Sequence, residues 1–413
     1  MRVVKHGPYC RKTRLHSGSQ GARTVIVGAP VLESARNPRA TDHRRTPPAG
    51  SSVRLSDWEE ARPIHPHGIH RTEASQSYCY RGRALPYENG EVTWLLTGGA
   101  GYIGGHVARC LKRAGHPVII LDDLSTGDES RVVGFPLVTA SILADPRRLT
   151  ETMVEHGVRG IVHLAAKKAV GESVQRPLFY YEQNVQGSLG LLRAAVDAGV
   201  RHVLYSSSAA VYGANDAGPI GEDHPTGPTS PYGETKLAAE WLVRSAAQAH
   251  GIAWTALRYF NVAGAGDAVL ADRGVFNLLP IVLRCLDTDS PVSVYGGDWP
   301  TPDGSCIRDY VHVEDLADAH RVALEALERG ELTEGVFNVG RGDGVSVLQM
   351  LAAVERAVGR PVPRHILGRR AGDPASVVAD TARINAELGW RASRDLDDVV
   401  ISAWHAWQKQ STA

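Results

Sequence analysis

The sequence predicts an α/β fold: a doubly wound parallel sheet with a smaller α/β domain after it. Three observations carry that expectation. From residue 92 onward, short apolar runs alternate with stretches of helical period. A glycine-rich turn joins the first run to the first helix. After Asn261 the texture loosens into a mixture rich in Gly, Pro and Asp, with shorter elements. Strands alternating with helices build parallel sheets covered on both faces.

The elements follow in order. "VTWLLTG" (92–98) reads as the first strand and "GGHVARCLKRAG" (104–115) as the first helix. "PVIILDD" (117–123) is the next strand, and "GIVHLAA" (160–166), "HVLYSSS" (202–208) and "WTALRYFN" (254–261) are further buried strands. Their length and continuous apolar character suit a sheet covered on both sides. Helices are expected over 183–199 and 232–251. The spacing divides the chain into a nucleotide-binding domain over 92–260 and a second domain over 261–409.

Residues 1–91 differ in kind. They hold 15 Lys and Arg against 8 Asp and Glu, whereas the remainder holds 30 against 37, so a net charge of zero conceals two opposite halves. Apolar periodicity is almost absent outside "TVIVGAPVL" (24–32). Such a segment buries too little to offset its ordering entropy and is expected to be disordered. It reads as a basic arm that touches polyanions, a transit peptide, or an over-extended translation start. The abrupt onset of pattern at Val92 favours the last. The arm has no nucleic-acid-binding motif or basic helix, so a nucleic-acid partner is not expected.

Five scattered cysteines among 413 residues form no C-x-x-C pair and no metal-spaced cluster with histidine. A reduced, cytoplasmic setting without a bound metal fits them. No run of 18 apolar residues is present, so no membrane helix is expected.

"TGGAGYIGG" (97–105) follows the first strand and opens a helix. Gly98, Gly101 and Gly104 let the backbone turn tightly and approach a pyrophosphate at the helix N-terminus. Asp122 closes the second strand 18 residues after Gly104, where a carboxylate accepts hydrogen bonds from an adenosine ribose. It would repel a 2′-phosphate, and no Lys or Arg occurs over 123–130. These residues point to a Rossmann-type site for NAD rather than NADP.

"SPYGETK" (230–236) puts Tyr232 and Lys236 four residues apart, on one helix face. An ammonium beside a phenol favours the phenolate and lowers the phenol's pKa, which suits it to proton transfer. "YSSSAAVYG" ends the fourth strand and places Ser206, Ser207 and Ser208 at a carboxyl edge, where ligands bind in open α/β sheets. A serine there can bond a substrate oxygen that Tyr232 deprotonates, and Lys236 can bind the nicotinamide ribose.

With these motifs in hand, residues 92–409 resemble the extended short-chain dehydrogenase/reductase superfamily and, within it, the UDP-glucose 4-epimerase (UDP-galactose 4-epimerase) family. The glycine turn and the Tyr/Lys pair mark the superfamily. "KAVGES", "TPDGSCIRDYVHV" and "RRAGDP" are the narrower signatures. The resemblance implies NAD-dependent interconversion of UDP-glucose and UDP-galactose in a homodimer. The sugar is oxidised at C4, the 4-keto form rotates, and the hydride returns to the other face. Tyr232 would be the base, Lys236 its partner and Ser208 the hydroxyl beside the sugar. Gly98, Gly101, Tyr102, Ile103, Gly104, Asp122, Lys168, Asn184 and Ser206 would contact the cofactor. Asn261, Asn277, Arg308, Arg370, Asp373 and Val377 would contact the UDP-sugar.

Three positions depart from the family pattern. Ser141 stands where an Asp often holds the adenine amine, and Ala210 where a Thr is common. Val377 falls where some relatives carry a bulky Tyr, which leaves room for UDP-N-acetylglucosamine as well. Two alternatives stay open: another NAD-dependent nucleotide-sugar enzyme (a 4,6-dehydratase or a decarboxylase), or a non-catalytic NAD-sensing scaffold. The first is disfavoured by Ala209 and Ala210, where dehydratases of this type carry an Asp-Glu pair. The second is disfavoured by the intact Tyr/Lys pair.

Overall fold

A computed structural model describes residues 92–411 apart from 215–217, 275 and 371. The expectations for residues 1–91 lie outside the described residues.

β1 (Thr93–Thr97) runs into the glycine turn and α1 (Tyr102–Arg113), followed by β2 (Val118–Asp122). β3 (Leu137–Thr139), α2 (Pro146–Glu155) and β4 (Val158–His163) come next. Then come α3 (Val170–Gln175), α4 (Pro177–Tyr180), a π-helical stretch (Tyr181–Gln186) and α5 (Gly187–Ala198). The single helix expected over 183–199 therefore opens with wide turns, a feature that tends to accompany functional positions. β5 (His202–Ser208), α6 (Pro231–His250) and β6 (Ala253–Tyr259) follow. The chain continues through β7 (Asn261–Ala263), α7 (Leu278–Asp287), β8 (Val292–Tyr295), β9 (Ile307–His312) and α8 (Val313–Glu328). β10 (Glu334–Val339), β11 (Gly344–Ser346), α9 (Val347–Val358) and β12 (Arg364–Leu367) precede β13 (Ser376–Val377), α10 (Ala382–Leu388) and α11 (Leu396–Ser411).

Seven strands form one all-parallel sheet in the order β10-β6-β5-β4-β1-β2-β3. β1 lies between β2 and β4, so the strand order reverses at the glycine turn. Alternate residues of each strand face opposite sides. Leu96, Ile120, Val162 and Leu257 pack with residues of α1 and α8. Leu95, Leu121, Ile161 and Val203 pack with α2, α5 and α6 on the other side. Truncating one of these buried leucines to Ala costs about 2–5 kcal/mol.

α8 and β10 follow residue 261 yet join this large sheet, so the chain returns to it after the boundary expected at 260. Two smaller sheets remain. β9 pairs antiparallel with β11 and parallel with β7 and β13, while β8 pairs with β12. A third apolar cluster joins α7, β8, α9 and α11.

Candidate functional site

The glycine turn is shaped by close approach. Gly98 has φ +71°, and a Cβ there would stand 2.7 Å from the Ala165 nitrogen. A Cβ on Gly104 would stand 2.6 Å from the Gly99 Cα. The Gly101 amide donates to the Gly98 carbonyl at 3.1 Å, closing the turn. Asp122 accepts from the Ala100 amide at 2.9 Å through Oδ2 and from the Leu124 amide at 2.9 Å through Oδ1. Burial pushes its carboxyl up, against those two hydrogen bonds. The turn thus offers bare backbone and a fixed carboxylate at the switch point of the sheet, the arrangement a dinucleotide requires. Tyr102 is buried and donates to the Gly264 carbonyl at 2.7 Å, so it ties this turn to the loop after β7. Ile103 packs on the core beneath, and the Lys168 ammonium lies 6.0 Å from the Tyr102 ring.

Asn184 sits on the π-helical stretch. Its Oδ1 accepts from the Lys167 amide at 2.8 Å, and its Nδ2 donates to the Lys167 carbonyl and to Thr235 Oγ1, each at 3.0 Å. Asn184, a cofactor-side amide by the resemblance, braces the loop after β4 against α6.

Helix α6 starts where the sequence stops it from starting earlier. Ser230 caps it, accepting from the Gly233 amide at 3.2 Å, and Pro231 occupies the first turn. Tyr232 therefore falls in the first turn and Lys236 in the next. Both are buried, at 8% and 2% exposed. Ser208, the last residue of β5, hydrogen-bonds the Tyr232 phenol. Lys236 Nζ donates to the Ser206 carbonyl at 2.7 Å and lies 5.1 Å from the Tyr205 ring. What Ser206 presents to this side is its carbonyl, since its hydroxyl meets His320 Nε2 at 3.0 Å.

One expectation is corrected here. The phenol of Tyr232 is not held low: burial raises it, and the bond from Ser208 only offsets that in part. Burial also lowers the Lys236 ammonium to about 7, with Glu240 pulling it back up. Both groups lose hydration, and desolvation disfavours each one's charged form.

On the other side, Arg308 donates to the Ile307 carbonyl at 2.8 Å and the Pro374 carbonyl at 3.0 Å, with Asp373 at 3.9 Å. Asn277 donates to Asp272 at 2.7 Å and precedes α7, whereas Asn261 is exposed at the start of β7. Arg370 is exposed and stacks over the Tyr295 ring at 4.2 Å. A cavity of about 450 Å³ is lined by Trp299, Thr301, Ile307, Arg369, Asp373 and Ser376. Val377 pairs with Arg308 in the sheet and packs near Leu237 of α6 and Phe260. Tyr232, Lys236 and Ser208 are thus brought together, as are Arg308, Asp373 and Val377. The Arg370 carbonyl accepts from the Asp373 amide at 3.3 Å, while its side chain rests on Tyr295.

Residues 94–340 match the family described as the NAD dependent epimerase/dehydratase family. The chain belongs to that family. It is 44% identical over 314 residues to the UDP-glucose 4-epimerase of Corynebacterium glutamicum, covering 75% of this chain and 94% of that protein. Identity to the UDP-glucose 4-epimerase of Azospirillum brasilense is 42% over 320 residues, 76% of this chain and 91% of that one. Among solved structures, the UDP-glucose 4-epimerase of Stenotrophomonas maltophila with bound NAD and formylated UDP-arabinopyranose superposes with a TM-score of 0.75 at 40% identity. That match covers 78% of this chain and 99% of that one. The enzyme of Bifidobacterium longum in complex with NAD+ and UDP gives 0.72 at 36%, covering 78% and 99%.

Membership of the epimerase/dehydratase family accounts for the Rossmann-type sheet and the shared motifs. It does not point to several residues that the structure adds to the site. Glu240 and Arg258 form a buried pair behind β5, and Arg369 stacks over Trp299 at 4.3 Å on the cavity wall. For Glu240 the signal was present, since it stands four residues after Lys236.

Proposed function

We propose that this chain is a UDP-glucose 4-epimerase that interconverts UDP-glucose and UDP-galactose. The observation that carries the reading is the convergence of Tyr232, Lys236 and Ser208 at the carboxyl edge of the same sheet that carries the glycine turn. The glycine turn, Asp122 and Lys168 would hold NAD, which would supply the hydride acceptor and donor for C4. Tyr232 takes the proton of the 4-hydroxyl and later returns it. Ser208 orients that oxygen, and Lys236 offsets the negative charge of the phenolate that takes the proton. A positioned base of this kind contributes roughly 10²–10⁴ in rate. Arg308, Arg370, Asn261, Asn277 and Asp373 grip the uridine diphosphate, far enough from C4 to let the sugar turn. An Arg fork suits phosphate oxygens better than a point charge does. Ala209 and Ala210 bring no carboxylate beside Ser208, which disfavours a dehydratase.

The enzyme acts in the cytoplasm as a homodimer. No described helix is long and apolar enough to cross a membrane. Exposed Leu178, Tyr181 and Trp241 stand on neighbouring elements that contact one another and suit a subunit interface. Val377 leaves room for an N-acetyl group, so UDP-N-acetylglucosamine is a second substrate. Val377→Tyr should abolish that second activity and spare the first. The test of the whole reading is the full chain with UDP-galactose, followed by proton NMR of the anomeric region. Appearance of UDP-glucose, with NAD released on denaturation, is expected. A 4-keto-6-deoxy product, or no conversion, would overturn it.

A further inference from the structure

We infer that Glu240 is a positioning residue of this site: bonded to Ser207 and paired with Arg258, it fixes the strand end that presents Ser208 and holds Lys236. The inference rests on the roles proposed above for Tyr232, Lys236 and Ser208.

Glu240 stands one helical turn after Lys236 on α6, so carboxylate and ammonium project from one face. They are 4% and 2% exposed. Three successive residues of β5 are held from this helix. The Ser206 carbonyl accepts from Lys236, the Ser207 hydroxyl donates to Glu240, and the Ser208 hydroxyl meets Tyr232. Behind the carboxylate, Arg258 of β6 donates through Nε at 2.9 Å and through a terminal nitrogen at 2.7 Å. Arg258 is itself held by the Tyr212 oxygen at 3.0 Å, and Tyr212 donates to Asn338 of β10 at 2.7 Å. The carboxylate is therefore fixed from two strands and a helix. A buried ion pair adds little stability over an apolar pair of equal volume, so its worth here lies in what it holds.

The pair also sets the charge around Lys236. The groups facing that ammonium are Glu240 and Tyr232 on its own helix, Tyr205 on β5 and His163 on β4. Tyr180 of α4 and Tyr259 of β6 face Tyr232, and His320 of α8 reaches Ser206. Of these only Glu240 carries a carboxyl group.

The test uses the full chain. Ser207→Ala removes the link to the strand and leaves the ion pair intact. Its kcat for UDP-galactose should fall about tenfold with KM nearly unchanged, the signature of lost transition-state geometry. Ser207→Thr keeps the hydroxyl and should restore most of the rate. The double variant Glu240→Gln with Arg258→Met removes both charges, so neither is left buried alone. Lys236 then loses the anion that favours its ammonium, and the basic limb of the kcat profile should move to lower pH. Unsubstituted kcat in Ser207→Ala, or a folded double variant with an unmoved limb, overturns the inference. If the double variant fails to fold, Ser207→Ala decides alone. If the unsubstituted chain converts no sugar, the proposed function falls and the clamp is judged without turnover. The readout is then the pH at which the difference in unfolding free energy between Lys236-bearing and Lys236→Met chains begins to change. That onset should shift downward in the double background, and an unshifted onset overturns the inference.

Discussion

Lys236 and Arg370 are both cations assigned to the site, yet they are held in opposite ways. Lys236 is 2% exposed, locked to a strand carbonyl and flanked by a buried carboxylate. Arg370 lies at the surface and rests on the face of Tyr295. The same contrast separates buried Tyr232 and half-buried Ser208, which touch, from Asn261 and Asn277, which sit at loop ends. Acid–base groups need fixed distances and a dry setting in which small changes of environment move protons. Anchoring groups need reach, because a nucleotide must enter and leave past them.

The largest expected effect breaks the buried half. Tyr232→Phe should lower kcat by roughly 10²–10⁴ while the UDP affinity, measured by calorimetry, stays within about twofold. Retained turnover would move the base elsewhere.

Lys236 gives the next effect, and its sign follows from linkage. Burial lowers its folded pKa to about 7 from 10.5, so the unfolded chain binds more protons between those values. Stability should therefore rise with pH across that window. Lys236→Met, compared by urea unfolding at several pH values, should lose that rise and be relatively more stable near neutrality. It should also lose most of its turnover.

The anchoring groups should respond differently. Arg308→Met removes a charged donor worth about 1.5–3 kcal/mol, so KM for UDP-glucose should rise roughly tenfold or more with kcat little changed. A fall in kcat with constant KM would place Arg308 among the buried chemical groups instead.

The smallest effect tests the adenine end. The Ser141 hydroxyl accepts from the Leu143 amide at 3.2 Å. Ser141→Asp keeps that turn and adds a charged acceptor, so NAD dissociation should slow by about threefold, within the range of one net hydrogen bond. No change in dissociation would place the adenine away from residue 141.

The buried half was the more legible in the sequence. Glycines at fixed spacing, an acid closing the second strand and Tyr four before Lys are local patterns with a physical meaning. The Glu240–Arg258 pair was not legible, because its members are brought together only when β6 docks beside β5 under α6. The depressed phenol was expected from the neighbouring charge alone; the weight of desolvation depends on packing that no short motif encodes. The cavity beside Asp373 draws residues from around 299–307 and 369–376, distant stretches whose convergence needs the β9–β13 pairing. β10 reads as an ordinary apolar run and carries no sign of which sheet it joins.

That placement of β10 has a practical consequence for anyone dissecting the molecule. A fragment stopped at residue 260 would leave β6 as a bare margin, with the backbone groups that now bond Glu334–Val339 open to solvent or to another chain. It would also strip α8 from the sheet face that it covers. Such a half should clump rather than bind nucleotide, and supplying residues 261–413 as a separate piece should rescue its solubility.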